Sequence, residues 1–403
     1  MTQTVSVRAK RPAESRLIAA VCAAHLMSHY YMLMLAPLLA FIRDDFDVSY
    51  IQLALALTVF NVVSGLLQTP VGFMVDRFGA RRLLMLGLAL SSAAYAIAGL
   101  VNSYWVFVAM YGVAGLGNTV YHPANYSLLS RYTPPEQMSR IFSFHTFAGM
   151  VGSAIAPFTL LYMQSLFGWR GAYMGAALAG LAVLIVLIAQ PAPDDAAPRS
   201  AAKTHADAAD AGWRLLLSLP ILLNLAFFML TSIMTTGLNT YLVVALGALH
   251  GIPPALGNTA LTSLLAMNAL GVLGGGLLAA RTKHHTAVAA SGLTIGGIVT
   301  AVVGLVDLHP VALVTILGFS GLCVGMTYPS RDMLVRSLTP PNAFGRVFGF
   351  VSTGFNIGAS ISPLVYGMMM DNQQPRAVFM FSAAVSILCV STVAFGFPRR
   401  EPR

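Results

Sequence analysis

Apolar runs long enough to cross a lipid bilayer recur along this chain, and they leave it few folds. About twenty consecutive apolar residues span the hydrocarbon as a helix. Runs of that kind are Leu17–Ile42, Tyr50–Met74, Leu83–Val101, Tyr104–Leu129, Ile141–Gln164 and Ala172–Ile188, then Leu215–Val244, Leu256–Ala280, Ala287–Val306, Pro310–Val335, Val347–Met370 and Ala377–Phe397. In lipid every peptide N–H and C=O must bond internally, so such runs fold as helices. The expectation is an all-α membrane protein with twelve transmembrane helices. Composition agrees: charged residues make up 9% of the chain, against about 25% in soluble domains.

Arg8, Lys10, Arg11 and Arg16 precede the first run, as in a secretory signal. The run that follows is longer than a signal's apolar core and has no small-residue cleavage site, so it reads as the first span. Cys22, Cys323 and Cys389 sit in apolar stretches without the spacing of metal ligands or a disulfide framework.

Orientation follows from the basic residues, which favour cytoplasmic loops. With the N-terminus inside, 19 of the 23 Lys and Arg fall on the cytoplasmic side and only Arg43, Arg170 and Arg376 on the other, with Arg331 inside a span. Both termini are therefore expected in the cytoplasm, in a bacterial inner membrane. The net charge of +9 reflects that topology and calls for no nucleic-acid partner.

The chain also resembles itself. Residues 123–157 align without a gap on residues 329–363 at an offset of 206, with 11 identities in 35 positions. Thr133-Pro134-Pro135 matches Thr339-Pro340-Pro341, Arg140 matches Arg346, and Gly152, Ile155 and Pro157 match Gly358, Ile361 and Pro363. The offset maps span four onto ten and five onto eleven. It predicts two pseudo-symmetric six-helix bundles, residues 1–190 and 214–403, joined by a polar cytoplasmic linker at 191–213. Parallel repeats about an axis along the membrane normal build one large class of transporters.

Between spans two and three stands Gly72-Phe-Met-Val-Asp76-Arg77-Phe-Gly79-Ala-Arg81-Arg82. This resembles the signature of the major facilitator superfamily, with Ala80 intervening before the basic pair. The chemistry fits a conformational latch: Gly72 would let two helices approach closely, and Asp76 can accept hydrogen bonds from a helix N-terminus or an arginine. The counterpart Arg281-Thr-Lys283-His284-His285 is degenerate. Within that superfamily, Gly115-Leu-Gly117-Asn-Thr-Val-Tyr121-His122-Pro123 and the histidines of the first span resemble fosmidomycin-resistance-type exporters. Those exporters commonly carry Glu after the His-Pro pair, where this chain has Ala124. Gly149, Gly152 and Pro157 resemble the superfamily's antiporter motif, with Ala156 where that motif has glycine. The resemblance implies the major facilitator fold, with spans one, four, seven and ten lining a central cavity.

Ionisable groups inside a span are costly and therefore informative. His25 and His29 stand at i and i+4 on one face of span one, either as proton carriers and substrate contacts or as neutral histidines bonded to neighbouring helices. Tyr30 adds a phenol at that depth. Asp332 is the one carboxylate well within an expected span, next to Arg331. Either Arg331 binds an anionic substrate group and Asp332 carries a proton, or the two are structural. Adjacent helix residues point about 100° apart, so the two are expected to face different neighbours. The repeat sets Asn125 and Tyr126 opposite them. His122 is a substrate contact or part of a proline kink, and His145 has Val351 as its repeat counterpart. Asn239, Tyr241, Asn268, Tyr328 and Asn356 complete the candidate substrate contacts. Asn61, Gly65, Gln68 and Gly72 form a small and polar stripe on span two, which reads as close helix packing.

No phosphate-binding loop, metalloprotease motif or nucleophile elbow occurs, so neither an enzyme nor an ATP-driven pump is expected, and no cofactor or metal is implied. The reading is a monomeric secondary transporter that exchanges protons for a small organic molecule, a drug or metabolite, and exports it. The alternatives are proton-coupled import of a small organic anion such as a carboxylate, and a transporter-like membrane sensor.

Overall fold

The computed structural model describes residues 12–133, 137–190, 215–339 and 344–396, and the apolar runs within them are helical. Among the described residues nine helices are long and apolar enough to cross a membrane. The longest, Ile141–Ala189, contains both span five and span six. It turns at Gly168, whose φ of +69° lies in the region that a side chain's Cβ disfavours. Spans four and eleven complete the twelve, as Tyr104–Asn118 with Tyr121–Tyr132 and as Phe344–Asp371. The linker expected at 191–213 and both Thr-Pro-Pro turns beyond their threonines lie outside the described residues.

Prolines decide where helices break. Span one runs as Pro12–Met32, a short turn at Ala36–Leu38 and Leu39–Phe46. Pro37 has no N–H to offer the carbonyl one turn back, so the ladder opens there. Span four breaks at Thr119 and Val120, one turn before Pro123. Its repeat counterpart Pro329 sits in an unbroken helix, Pro310–Leu338, so the two copies of the element have diverged in shape.

Each half packs on itself. In the first, span one lies on the span five–six helix, and span three on that helix and on span four. In the second, span seven (Leu219–His250) packs on eleven and twelve (Pro375–Gly396), and span eight (Pro254–Arg281) on ten. The halves meet along span two (Tyr50–Phe78) against eleven, and along the span five–six helix against eight. Under the 206-residue offset these two seams exchange, which is the pseudo-twofold expected from the repeat.

The first bundle is stiffened by buried phenols. The Tyr111 and Tyr173 hydroxyls are 2.6 Å apart, Tyr31 meets Ser92 at 2.9 Å, and Tyr95 donates to the Tyr31 carbonyl at 2.9 Å. Each ring buries apolar area while its hydroxyl keeps a partner. On the outside, Phe158, Tyr162, Leu178, Ile185, Leu277 and Ile298 are exposed. An apolar surface of that extent is stable only against lipid.

Candidate functional site

Between the halves lies a cavity of about 150 Å³, walled by residues of spans one, two, five, seven and eleven. His29, Asn61, Ser153, Thr236, Asn239 and Thr240 give it hydrogen-bonding capacity, and Leu57 and Phe60 give it apolar wall. Among the described residues no Lys, Arg, Asp or Glu lines it.

One end of this cavity is sealed. The Asp371 carboxylate, at the end of span eleven, accepts the backbone N–H of Tyr50 at 2.7 Å and of Ile51 at 2.8 Å. These are unpaired donors of the first turn of span two, where an anion is also favoured by the helix dipole. Ser49 caps the same turn from within its own bundle, accepting from Gln52. Further along, Thr58 donates to the Ser360 carbonyl and Asn61 to the Ala359 carbonyl, at 2.9 and 3.0 Å. A Cβ at Gly65 would stand 3.2 Å from that of Asn356, so the helices still touch there.

At Gly72, about 10 Å further along the helix, a Cβ would meet nothing within 4 Å among the described residues. The close approach expected at Gly72 is therefore made at Gly65. Among the described residues the two helices thus touch from the Asp371 end as far as Gly65 and make no such contact at Gly72. Tyr126 and Asp332, repeat counterparts on spans four and ten, are both substantially exposed and lie within electrostatic reach of each other.

Four histidines of the first bundle converge beside the cavity. His25 and His29 have ring centroids 4.7 Å apart, His25 and His122 5.6 Å, and His25 and His145 3.8 Å with their planes stacked at 11°. Tyr126 extends the group, 5.8 Å from His145 and 6.1 Å from His122. Stacked rings aim their nitrogens sideways, and among the described residues no group of His, Cys, Asp and Glu is arranged to hold a metal ion. Both His145 nitrogens lack a hydrogen-bond partner among the described residues, and Nδ1 of His29 is 3.4 Å from the Ser153 hydroxyl. Four imidazoles this close together, away from water, cannot all carry charge. His145 was the least conspicuous of the four in the sequence. Its signal was the absence of a histidine at its repeat counterpart Val351.

Arg331 and Asp332 do not face different neighbours. The long Arg331 side chain reaches back across the 100° step, and its Nε and Nη2 each lie 2.9 Å from the same Asp332 oxygen. The guanidinium also lies over Phe228 at 4.3 Å, Tyr328 at 5.0 Å and Phe355 at 5.2 Å, three ring faces that favour a cation. Its Nη1 is buried without a hydrogen-bond partner among the described residues.

Comparison with known proteins places this architecture. The sequence profile of the Major Facilitator Superfamily matches residues 21–289 and 243–403. The chain belongs to the major facilitator superfamily. Among curated relatives, a probable L-galactonate transporter of Escherichia coli K12 is 28% identical over 144 residues, 36% of this chain and 32% of that protein. The multidrug resistance protein MdtH of Yersinia enterocolitica is 26% identical over 113 residues, 27% of this chain and 28% of that protein. The chain spans about a third of the length of the curated relatives it matches. Among solved structures, a bacterial homologue of the human lysosomal transporter Spinster, inward-facing and occupied, superposes with a TM-score of 0.76 at 14% identity, covering 96% of each chain. The nucleoside transporter NupG superposes with a TM-score of 0.79 at 12% identity, covering 96% of this chain and all of that one. These likenesses establish the fold.

The superfamily motif after span two is partly legible in the structure. Gly79 takes a φ of +94° between spans two and three. Arg81 is buried, and its Nη2 donates to the carbonyls of Leu187, Ile188 and Gln190 at 2.9, 3.1 and 2.6 Å. It therefore ties the start of span three to the end of span six, satisfying carbonyls that the helix itself leaves open. Arg77 lies over Phe78, and Arg82 is exposed. The Asp76 side chain lies outside the described residues.

The other expected contacts divide into groups. Asn239 lines the central cavity with a free amide, since no protein group among the described residues bonds it. Asn239, Asn268 and Tyr328 also line a second cavity, of about 60 Å³, inside the second bundle. Tyr30 bonds Thr159 at 2.8 Å. Tyr241 is fully buried and donates to the carbonyls of Pro363 and Tyr50, at 2.9 and 3.3 Å, which puts it in the sealed end of the seam. Asn356 packs on Gly65 in that seam. Asn125 is fully buried, and neither of its amide atoms is bonded among the described residues.

Proposed function

We propose that the protein is a proton-coupled secondary transporter that exports a small organic molecule by alternating access. The observation that carries this reading is the four-histidine cluster, which shares His29 with the central cavity between the bundles. Imidazole is the side chain that titrates in the physiological range, and a proton arriving there changes the wall that a substrate touches. The distribution of Lys and Arg supports the Asp371 end as the outer one and the Arg77 end as the cytoplasmic one, and in that orientation the closed outer seam corresponds to an inward-facing state. Both termini are cytoplasmic, the chain acts as a monomer in a bacterial inner membrane, and residues 191–213 link the two bundles.

The resemblance of span four to fosmidomycin-resistance-type exporters supports export, and the relative named for multidrug resistance agrees. In this reading His25, His29, His122, Asn125, Tyr126 and Asn239 act on substrate or proton from the cavity side. Asp76, Arg77 and Arg82 latch the inner end when it closes. The test uses inside-out vesicles holding a proton gradient. Substrate-induced collapse of the gradient is expected across a panel of drugs and metabolites.

A second reading is favoured by Arg331: uptake of a small organic anion by proton symport, with the guanidinium as anchor and Asp332 exchanging partners with the substrate. The relative named as a probable L-galactonate transporter agrees with it. Proton-consuming uptake in right-side-out vesicles would select this reading over export. Absence of both activities would favour a membrane sensor.

A further inference from the structure

The second cavity is not accounted for by proton exchange. It lies within spans seven to ten and shares Asn239 with the central cavity, so the two meet at that residue. Met234, Leu238, Leu264, Leu265 and Val324 give it apolar wall. Its polar groups are already occupied: Asn268 donates to the Gly321 carbonyl at 3.3 Å and Thr300 to the Gly296 carbonyl at 2.8 Å. Tyr328 is a hydrogen-bonding neighbour of Asn268. An apolar group entering here would strip no hydrogen bond, whereas a charged one would lose its hydration without a partner. The nearest charges, Arg331 and Asp332, are engaged with each other.

The first bundle fills the corresponding position differently. Tyr328 has His122 as its repeat counterpart, and His122 is packed into the histidine cluster. The free amide of Asn239 marks the boundary, with hydrogen-bonding groups on the central side and apolar wall beyond.

We propose that the second cavity is a subsite for an uncharged, apolar arm of the substrate, whose polar end lies in the central cavity against Asn239, Thr236 and Thr240. The substrate class is then an amphipathic molecule rather than a compact sugar or a dianion. This rests on the transport reading of the central cavity.

The test replaces Cys22, Cys323 and Cys389 by alanine in the full chain, then adds Thr300→Cys as a reporter in the side cavity or Thr236→Cys in the central one. Each is treated with uncharged benzyl methanethiosulfonate and with charged sulfonatoethyl methanethiosulfonate. Thr236→Cys is expected to react with both. Thr300→Cys is expected to react with the benzyl reagent and about tenfold or more slowly with the charged one, which must shed its hydration. Adding Val324→Phe should fill the pocket, cutting benzyl labelling at Thr300→Cys about tenfold and leaving Thr236→Cys unchanged. A Thr300→Cys inert to both reagents, or equally reactive to both, overturns the subsite while the transport reading stands. Inertness of Thr236→Cys to both would overturn the central cavity itself, and the subsite with it.

Discussion

The sealed end of the cavity rests on an interaction whose loss can be quantified. Asp371 belongs to one bundle and the two N–H groups it accepts belong to the other, so the contact exists only while the outer end is closed. Its whole worth is therefore a difference between two states, which is what shifts a conformational equilibrium. A side-chain cap of a helix N-terminus is worth about 0.5–2 kcal/mol. Asp371 is exposed, so water offsets part of each bond, and about 1–2 kcal/mol is a fair value for the pair. Asp371→Ala should then raise the outward-open population about 5- to 30-fold. The assay is the rate at which a charged thiol reagent, added from outside, modifies Thr240→Cys in the cavity wall. Asp371→Asn keeps one acceptor oxygen without the charge and should fall between wild type and alanine. Ser49→Ala is the control, because Ser49 caps the same helix end from within its own bundle in both states. It should lower thermal stability without changing the labelling rate. A labelling rate in Asp371→Ala within about twofold of wild type, in protein of unchanged melting temperature, would refute the reasoning.

Further outcomes follow from the same geometry. Arg81→Ala leaves three carbonyls at the end of span six without their cation and should cost about 1–3 kcal/mol, read as a lower melting temperature in detergent, with Arg81→Lys recovering part of it. Arg331→Ala should abolish binding of anionic ligands and spare cationic ones if the anion reading holds; equal loss of both in folded protein would refute a charge-specific role. His25→Ala or His29→Ala should shift the pH optimum of transport, and an unchanged profile would remove them as proton carriers. Under the cluster reading His145→Ala should shift the same profile, although it stacks on His25 and that ring in turn packs on His29 in the cavity wall.

What the sequence displayed was whatever depends on spacing along one chain. The twelve crossings and the two matching halves follow from run length and from a constant offset, because lipid permits few backbone solutions. The pairing of His25 with His29 was legible for the same reason, being one helical turn. Contacts that need two helices in register were not. Asp371 sits at the end of span eleven, and nothing within 320 residues of sequence separation indicates that it caps span two. His145 stacking on His25 likewise depends on how span five rotates against span one. Arg331 misled for a different reason: the 100° rule describes Cα–Cβ directions, and a side chain as long as arginine can fold back across it. Gly72 misled because a small residue permits close approach without requiring it, and the conformation decides which glycine of the stripe is in contact.

The repeat makes the division of labour between the bundles intelligible. At the 206-residue offset, the counterparts of His122, Asn125, Tyr126 and His145 are Tyr328, Arg331, Asp332 and Val351. Equivalent backbone positions thus carry imidazoles and neutral amides on one side, and an ion pair among aromatic rings on the other. Duplication supplies two similar scaffolds, and rocking one against the other needs only that both remain rigid. The side chains at the shared surface are then free to diverge. A site that must respond to both a proton and a substrate gains from that divergence, because identical halves would place like charges opposite each other across the axis. Here the one carboxylate near the axis, Asp332, faces a neutral phenol, Tyr126. It can therefore keep its bond to Arg331 or exchange it without confronting a second anion, and the proton-responsive imidazoles stay in the other half of the molecule.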